Sequence, residues 1–208
     1  MTHTELHGIY HELAFWQQFV KTDRFLSGWV KKVKTPELHQ EVADFILSVP
    51  HNTVLDVGSG VVSILNGLVE VRAVDPLGDL YRLVFDYERH KLAPPMAFPA
   101  EELLFKNDYE IVHISNAIDH TQDPVKAFSL LYKAVKPGGY LIIQGFENEA
   151  TFENWQGFHQ HDIYCDENSI KIRYKENIYT TIDENPYKLI RKQLGDKTWF
   201  IYIVQKPK

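Results

Sequence analysis

The chain lacks most of the features that would commit it to a special environment. It holds one cysteine, Cys165, in 208 residues, which excludes an internal disulfide and any multi-cysteine zinc site. No run approaches about 18 uninterrupted apolar residues, so no bilayer-spanning helix is expected. The opening residues MTHTELHGIYHELAF carry no basic stretch followed by an apolar one, as a secretory leader would. Dense Lys/Arg runs are missing too. The nearest, WVKKVK (29–34), is short and reads as a solvated face, and the net charge of −6 disfavours a nucleic-acid partner. What remains, 44% hydrophobic and 24% charged residues, is the balance of one cytoplasmic globular domain with a core of its own and no membrane insertion.

Apolar residues recur at helical spacing from Leu6 to Val20. A second helix is expected from Pro36 to Leu47, with Thr35 as N-cap and proline in the first turn. Between residues 53 and 146 short apolar runs alternate with helical patterns: TVLDV (53–57) before VVSILNGL, VRAVD (71–75) before GDLYRLVFDYERH, PMAF (95–98), YEIVHIS (109–115) before a helix at 123–135, and GYLIIQGF (139–146). That alternation predicts an α/β fold, a doubly wound, mostly parallel sheet joined by right-handed crossovers. Beyond residue 150, short antiparallel strands with turns at DEN and KEN and a final strand, KTWFIYIVQK, are expected. The chain thus divides into N-terminal helices (1–50), a core (51–147) and a C-terminal strand region (148–208) within a single domain.

Chemistry concentrates first at VLDVGSGVVSIL, where Asp56, Gly58, Ser59 and Gly60 sit at a strand-to-helix junction. Glycine there permits a tight turn and close approach of a ligand to the main chain. Asp75 follows 17 residues after Gly58, at the tip of the next strand, where a carboxylate can accept both hydroxyls of a ribose. A dinucleotide site would want G-x-G-x-x-G, and Ser63 stands in the third place, a partial match. Asp56 would repel a pyrophosphate but suits a ligand with a positive amino end. S-adenosylmethionine has that ammonium, a sulfonium and no phosphate.

These residues resemble the class I S-adenosylmethionine-dependent methyltransferases, a Rossmann-like family, over about Thr53 to Phe146. VLDVGSG looks like the family's first motif and VRAVDP its second. NDYEIVHISNAIDHTQDPVKAF is similar to its fourth-strand segment, and KPGGYLII to the turn and strand that follow. The resemblance implies that the turn Asp56–Gly60 lies under the methionine moiety and that Asp75 holds the ribose. It further implies that Pro76 and Leu77 flank the adenine, that Ala100 and Glu101 meet its edge, and that Ser115 and Asn116 complete the site. Pro99 stands where the family often has an acid. N-terminal helices would lie over the cofactor cleft, with Phe15, Trp16 and Phe19 forming a lid or an ordinary packed face.

Asn116, Asp119 and His120 end the fourth strand, where the sulfonium methyl would point. Methyl transfer is an in-line displacement, and a hydroxyl acceptor must also lose its proton. His120 is the expected general base, oriented by Asp119. Asp123 before Pro124 reads as a helix N-cap, and His113 as a core or pocket-wall residue. A second cluster, FENEATFENWQGFHQHDI (146–163), offers Glu147, Glu149, His159 and His161. With SNAIDH it resembles bacterial methyltransferases that accompany surface-polysaccharide or secondary-metabolite pathways, which implies a small polar acceptor such as a nucleotide-linked sugar and adds His159 to the catalytic side. Asp119, His120, Glu147 and His159 could ligate a divalent ion, but no tight ligand spacing appears and no metal is expected. The expected reaction is O-methylation of a small molecule by a monomer or homodimer. The alternatives are N-methylation of an amine or phosphoramidate-type nitrogen and nucleotide-dependent oxidoreduction.

Overall fold

The in-register parallel pairing of three apolar strands organises the structure. In the computed structural model, which describes residues 3–21, 36–174, 177–182 and 186–208, β1 (Val54–Val57) pairs in parallel with β2 (Val71–Val74) on one side and β3 (Tyr109–Ser115) on the other. β3 pairs in parallel with β4 (Val135–Phe146), and β4 pairs antiparallel with β9 (Lys197–Gln205), which carries β8 (Lys188–Leu194) at the edge. The six-stranded order is β2-β1-β3-β4-β9-β8. β5 (Asp162–Cys165), β6 (Ile170–Tyr174) and β7 (Asn177–Ile182) form a separate antiparallel sheet.

Alternation along the strands sends side chains to two dry faces. Leu55, Val57, Val112, Ile114, Leu141 and Ile143 face α4 (Pro124–Ala134), whose Ala127, Phe128, Leu131 and Ala134 repeat at helical spacing, together with Ile163 and Ile172 of the small sheet. Val54, Ile111, Ile142, Ile201 and Ile203 pack on Val42, Phe45 and Ile46 of α2 (Pro36–Ser48). Asp123 caps α4 as expected, its Oδ1 accepting from Lys126 N at 2.9 Å. Thr35, WVKKVK and the first two residues of KEN lie outside the described residues. Among the described residues no helix is long and apolar enough to cross a membrane.

Several expected elements take another form. VVSILNGL makes successive tight turns in place of a helix: Ser63 Oγ accepts from Leu65 N at 3.1 Å, and Gly67 adopts φ 79°, a left-handed step that ends helical propagation. GDLYRLVFDYERH divides into a 3-10 turn at Leu80–Leu83 and a single helical turn, α3 (Tyr87–His90), capped by Asp86. PMAF contributes one bridge, Met96 to Val74, because the flanking prolines remove the donors a ladder needs. β8, rich in Lys and Arg, was not legible as a strand; such charge suits an exposed edge.

One buried carboxylate ties the small sheet to the segment that follows β4. Asp162 is fully buried and accepts from Thr151 N (2.8 Å) and Thr151 Oγ1 (2.6 Å) of α5 (Glu149–Phe152), and from Arg173 Nη2 (2.5 Å). Asp162→Ala strands those donors in a half-exposed setting, and we expect a loss of about 2–3 kcal/mol of stability in denaturant unfolding.

Candidate active site

The carboxyl ends of β1, β2 and β3 border a cleft of about 660 Å³. Val57 and Gly58 come from β1; Asp75, Pro76, Leu77 and Tyr81 from the segment after β2; Ile114, Ala117 and His120 from the end of β3. Pro99, Ala100 and Glu101 line it from the 3-10 turn Ala100–Glu102, and Ile9 and Glu12 from α1 (His3–Phe19).

The glycine turn is built by necessity. Gly58 and Gly60 have φ 65° and 64°, which L side chains rarely adopt. A Cβ on Gly58 would fall 2.4 Å from Ala117 Cβ, and one on Gly60 2.2 Å from the Trp16 ring. The turn folds back on β2: Gly58 N donates to Val74 O at 2.8 Å, and Gly60 N to Asp75 Oδ2 at 2.9 Å. Leu77 N donates to Asp75 Oδ1 at 2.9 Å. Burial pushes the Asp75 carboxyl up to about 6, against the pull of those two N–H donors. Trp16, anchored to Glu12 Oε1 at 2.8 Å, covers the turn and packs with Val61, Leu77, Tyr81, Phe85 and Tyr87.

Four other predicted residues, Asp56, Ser59, Ser115 and Asn116, lie off the cleft lining. Asp56 is buried, its Oδ1 2.6 Å from His113 Nδ1, and His113 Nε2 lies 2.8 Å from Gln144 Nε2. The three side chains form a polar row across β1, β3 and β4 on the α2 face, and the neutral His113 tautomer protonated at Nδ1 satisfies both contacts. Ser115 and Asn116 end β3; Asn116, at φ 48°, accepts from Phe146 N through Oδ1 at 3.1 Å and so joins β3 to β4. Ser59 is buried, its hydroxyl donating to Gly60 O at 3.2 Å. Glu101 Oε1 accepts from Gln122 N (2.6 Å) and Asp123 N (3.2 Å), so its carboxylate braces the approach to α4.

Beside the cleft Asp119, His120 and His159 converge. Asp119 is buried, its Oδ2 2.7 Å from His159 Nδ1 and 3.5 Å from His120 Nε2; the two nitrogens are 3.2 Å apart. Burial opposes ionisation of Asp119, but the flanking imidazoles hold its pKa below the usual carboxylate range. Burial likewise opposes protonation of His159, and the Asp119 contact raises its pKa overall. Glu149, 7% exposed, faces the same three groups; burial and then the Asp119 charge push its carboxyl up to about 7. Glu147, weighed beside them from the sequence, points elsewhere: its carboxylate accepts from Arg191 Nη2 (2.7 Å) and Cys165 N (3.2 Å). His161 packs near Tyr174, ring centroids 5.7 Å apart. Sequence reasoning missed Glu12, Tyr81, Ala117 and Phe158; Phe158 and His120 both line the cleft and stand 6.2 Å apart, ring to ring.

A family model described as a methyltransferase domain matches residues 29–173, and the chain belongs to that family. It is an S-adenosylmethionine-dependent methyltransferase, and the reading as a nucleotide-dependent oxidoreductase falls away. Among curated proteins none matches. Solved structures share the fold. The Burkholderia thailandensis 1,6-didemethyltoxoflavin-N1-methyltransferase, bound to its substrate and S-adenosylhomocysteine, is 15% identical with a TM-score of 0.52 over 97% of this chain and 91% of that one. The N-methyltransferase NodS of Bradyrhizobium japonicum WM9, with S-adenosylhomocysteine, is 11% identical with a TM-score of 0.53 over 93% and 99%. The [4+2]-cyclase SpnF is 10% identical with a TM-score of 0.58 over 99% and 96%, so this fold also carries other chemistry.

The contact between Trp16 and Gly60 can be isolated by a double-mutant cycle. Gly60→Ala should cost about 1 kcal/mol through its backbone angle alone and more through displacement of the ring. In a Trp16→Ala background, thermal unfolding should show only the backbone part of that loss.

Proposed function

We propose that this chain transfers the methyl group of S-adenosylmethionine to a nitrogen of a small polar acceptor that docks against Asp119, His120 and His159. The observation that carries the reading is the position of that cluster beside the cleft, at the carboxyl end of β3, where ligands of an open α/β sheet bind. When bound, S-adenosylmethionine supplies an electrophilic methyl on a sulfonium. Asp75 receives the ribose hydroxyls. Pro76, Leu77 and Ala100 hold the adenine, with Glu101 at its edge. The turn Gly58–Gly60, with Asp56, Ser115 and Asn116 behind it, takes the methionine end, and α1 acts as a lid that excludes water.

Nitrogen over a sugar hydroxyl as acceptor is supported by the neighbours from Burkholderia and Bradyrhizobium, which are named for N-methylation. Hydroxyl transfer, with a capsule precursor or nucleotide-linked sugar as acceptor, is the second reading, favoured by the imidazoles that could take the hydroxyl proton.

Incubation with amine and nucleotide-sugar panels and labelled methyl donor, followed by mapping of the methyl, tests the proposal. Label on nitrogen supports it; label confined to oxygen moves the assignment to the second reading. The ribose contact makes a separate pH prediction. Ribose hydroxyls donate to the ionised Asp75, so a protonated carboxyl must lose its proton on binding. S-adenosylhomocysteine affinity in calorimetry should be flat above about pH 7 and should fall by about tenfold per pH unit well below the Asp75 pKa. A flat profile down to pH 5 would remove Asp75 from the cofactor contact.

A further inference from the structure

We propose that Asp119, His120 and His159 hold a divalent transition-metal ion, with the buried Glu149 carboxyl as a nearby compensating charge. The first argument is geometric. The three donor atoms lie 2.7, 3.2 and 3.5 Å apart. Ligands about 2.1 Å from one ion, at octahedral or tetrahedral angles, stand roughly 3.0–3.4 Å from each other. The observed triangle therefore needs only small adjustments to close around an ion.

The second argument is a count of protons. His159 Nδ1 lies within hydrogen-bond reach of both Asp119 Oδ2 and His120 Nε2, yet it carries one hydrogen at most. If that hydrogen goes to Asp119, His120 Nε2 is left with at best a share of the same N–H, whereas a cation accepting all three lone pairs engages each of them fully. The third argument comes from Glu149: among the described residues its buried Oε2 has no hydrogen-bond partner, although the residue lies within electrostatic reach of Asp119, His120 and His159. Two buried carboxylates near each other repel, and a dication compensates both.

Two imidazoles with carboxylate oxygens suit Zn²⁺, Mn²⁺, Fe²⁺ or Co²⁺ better than a hard all-oxygen cage suits them. The ligands come from the turn after β3 and the loop beyond α5, so the ion sits beside the cleft that His120 lines. There it grips a hydroxyl or carboxylate next to the nucleophile, which selects acceptors offering a second donor, such as amino alcohols. That acceptor role rests on the methyl-transfer reading; the ion itself does not. With their lone pairs on the ion, neither imidazole serves as the base.

The test is addition of Co²⁺ to the chelator-stripped full chain, read by its visible d–d absorption, with S-adenosylhomocysteine affinity measured on the same samples. We expect one equivalent to bind, Zn²⁺ to displace it, and His159→Ala and Asp119→Asn to abolish it. Retained S-adenosylhomocysteine affinity verifies that the variants are folded. No saturable spectrum from the wild-type chain at millimolar Co²⁺ overturns the proposal, as does a spectrum that survives both His159→Ala and Asp119→Asn. Loss of cofactor binding with Co²⁺ binding intact would instead overturn the methyl-transfer reading alone.

Discussion

Everything functional in this chain depends on the parallel pairing of β1, β2, β3 and β4. Parallel strands deliver all their carboxyl ends to one edge, so the glycine turn, Asp75, and the Asp119–His120 turn are brought together although they are distant in sequence. The pairing is stabilised by two dry faces, one under α4 and one under α2. A shift of one residue in any of these strands would turn its apolar set onto the opposite face. The register that makes the core thus also fixes the site.

Among the buried polar groups, two clusters differ in their surroundings. The row Asp56–His113–Gln144 runs across three strands and joins them through two side-chain contacts, while Gln144 Oε1 has no partner among the described residues. In the cluster Asp119–His120–His159, with Glu149 nearby, His159 Nδ1 lies within reach of two partners and Glu149 Oε2 has none among the described residues. What separates them is location: His120 of the second cluster lines the cleft, and no member of the first does.

Much of this was legible in the sequence. The strands carrying the cleft, the glycine turn, Asp75 at the tip of β2 and the cap at Asp123 all follow from local rules that the structure obeys. The convergence of His159 on Asp119 was suggested by resemblance; no spacing rule brings residues 40 positions apart together. Other features were hidden for physical reasons. Apolar periodicity in VVSILNGL could not reveal that Ser63 and Gly67 would break the helix into turns. Glu147 and Glu149 look equivalent in the sequence, and only the pairing of Glu147 with Arg191 from β8 leaves Glu149 for the cluster. Asp56 carries no mark of its partnership with His113, which is set by strand register.

The most direct test of the central claim is a crystal structure of the complex with S-adenosylhomocysteine. The account predicts the ribose hydroxyls on Asp75, the adenine between Leu77 and Ala100, and the sulfur directed toward Asp119, His120 and His159. Nucleoside density outside this cleft, or a sulfur facing away from the three residues, would contradict it.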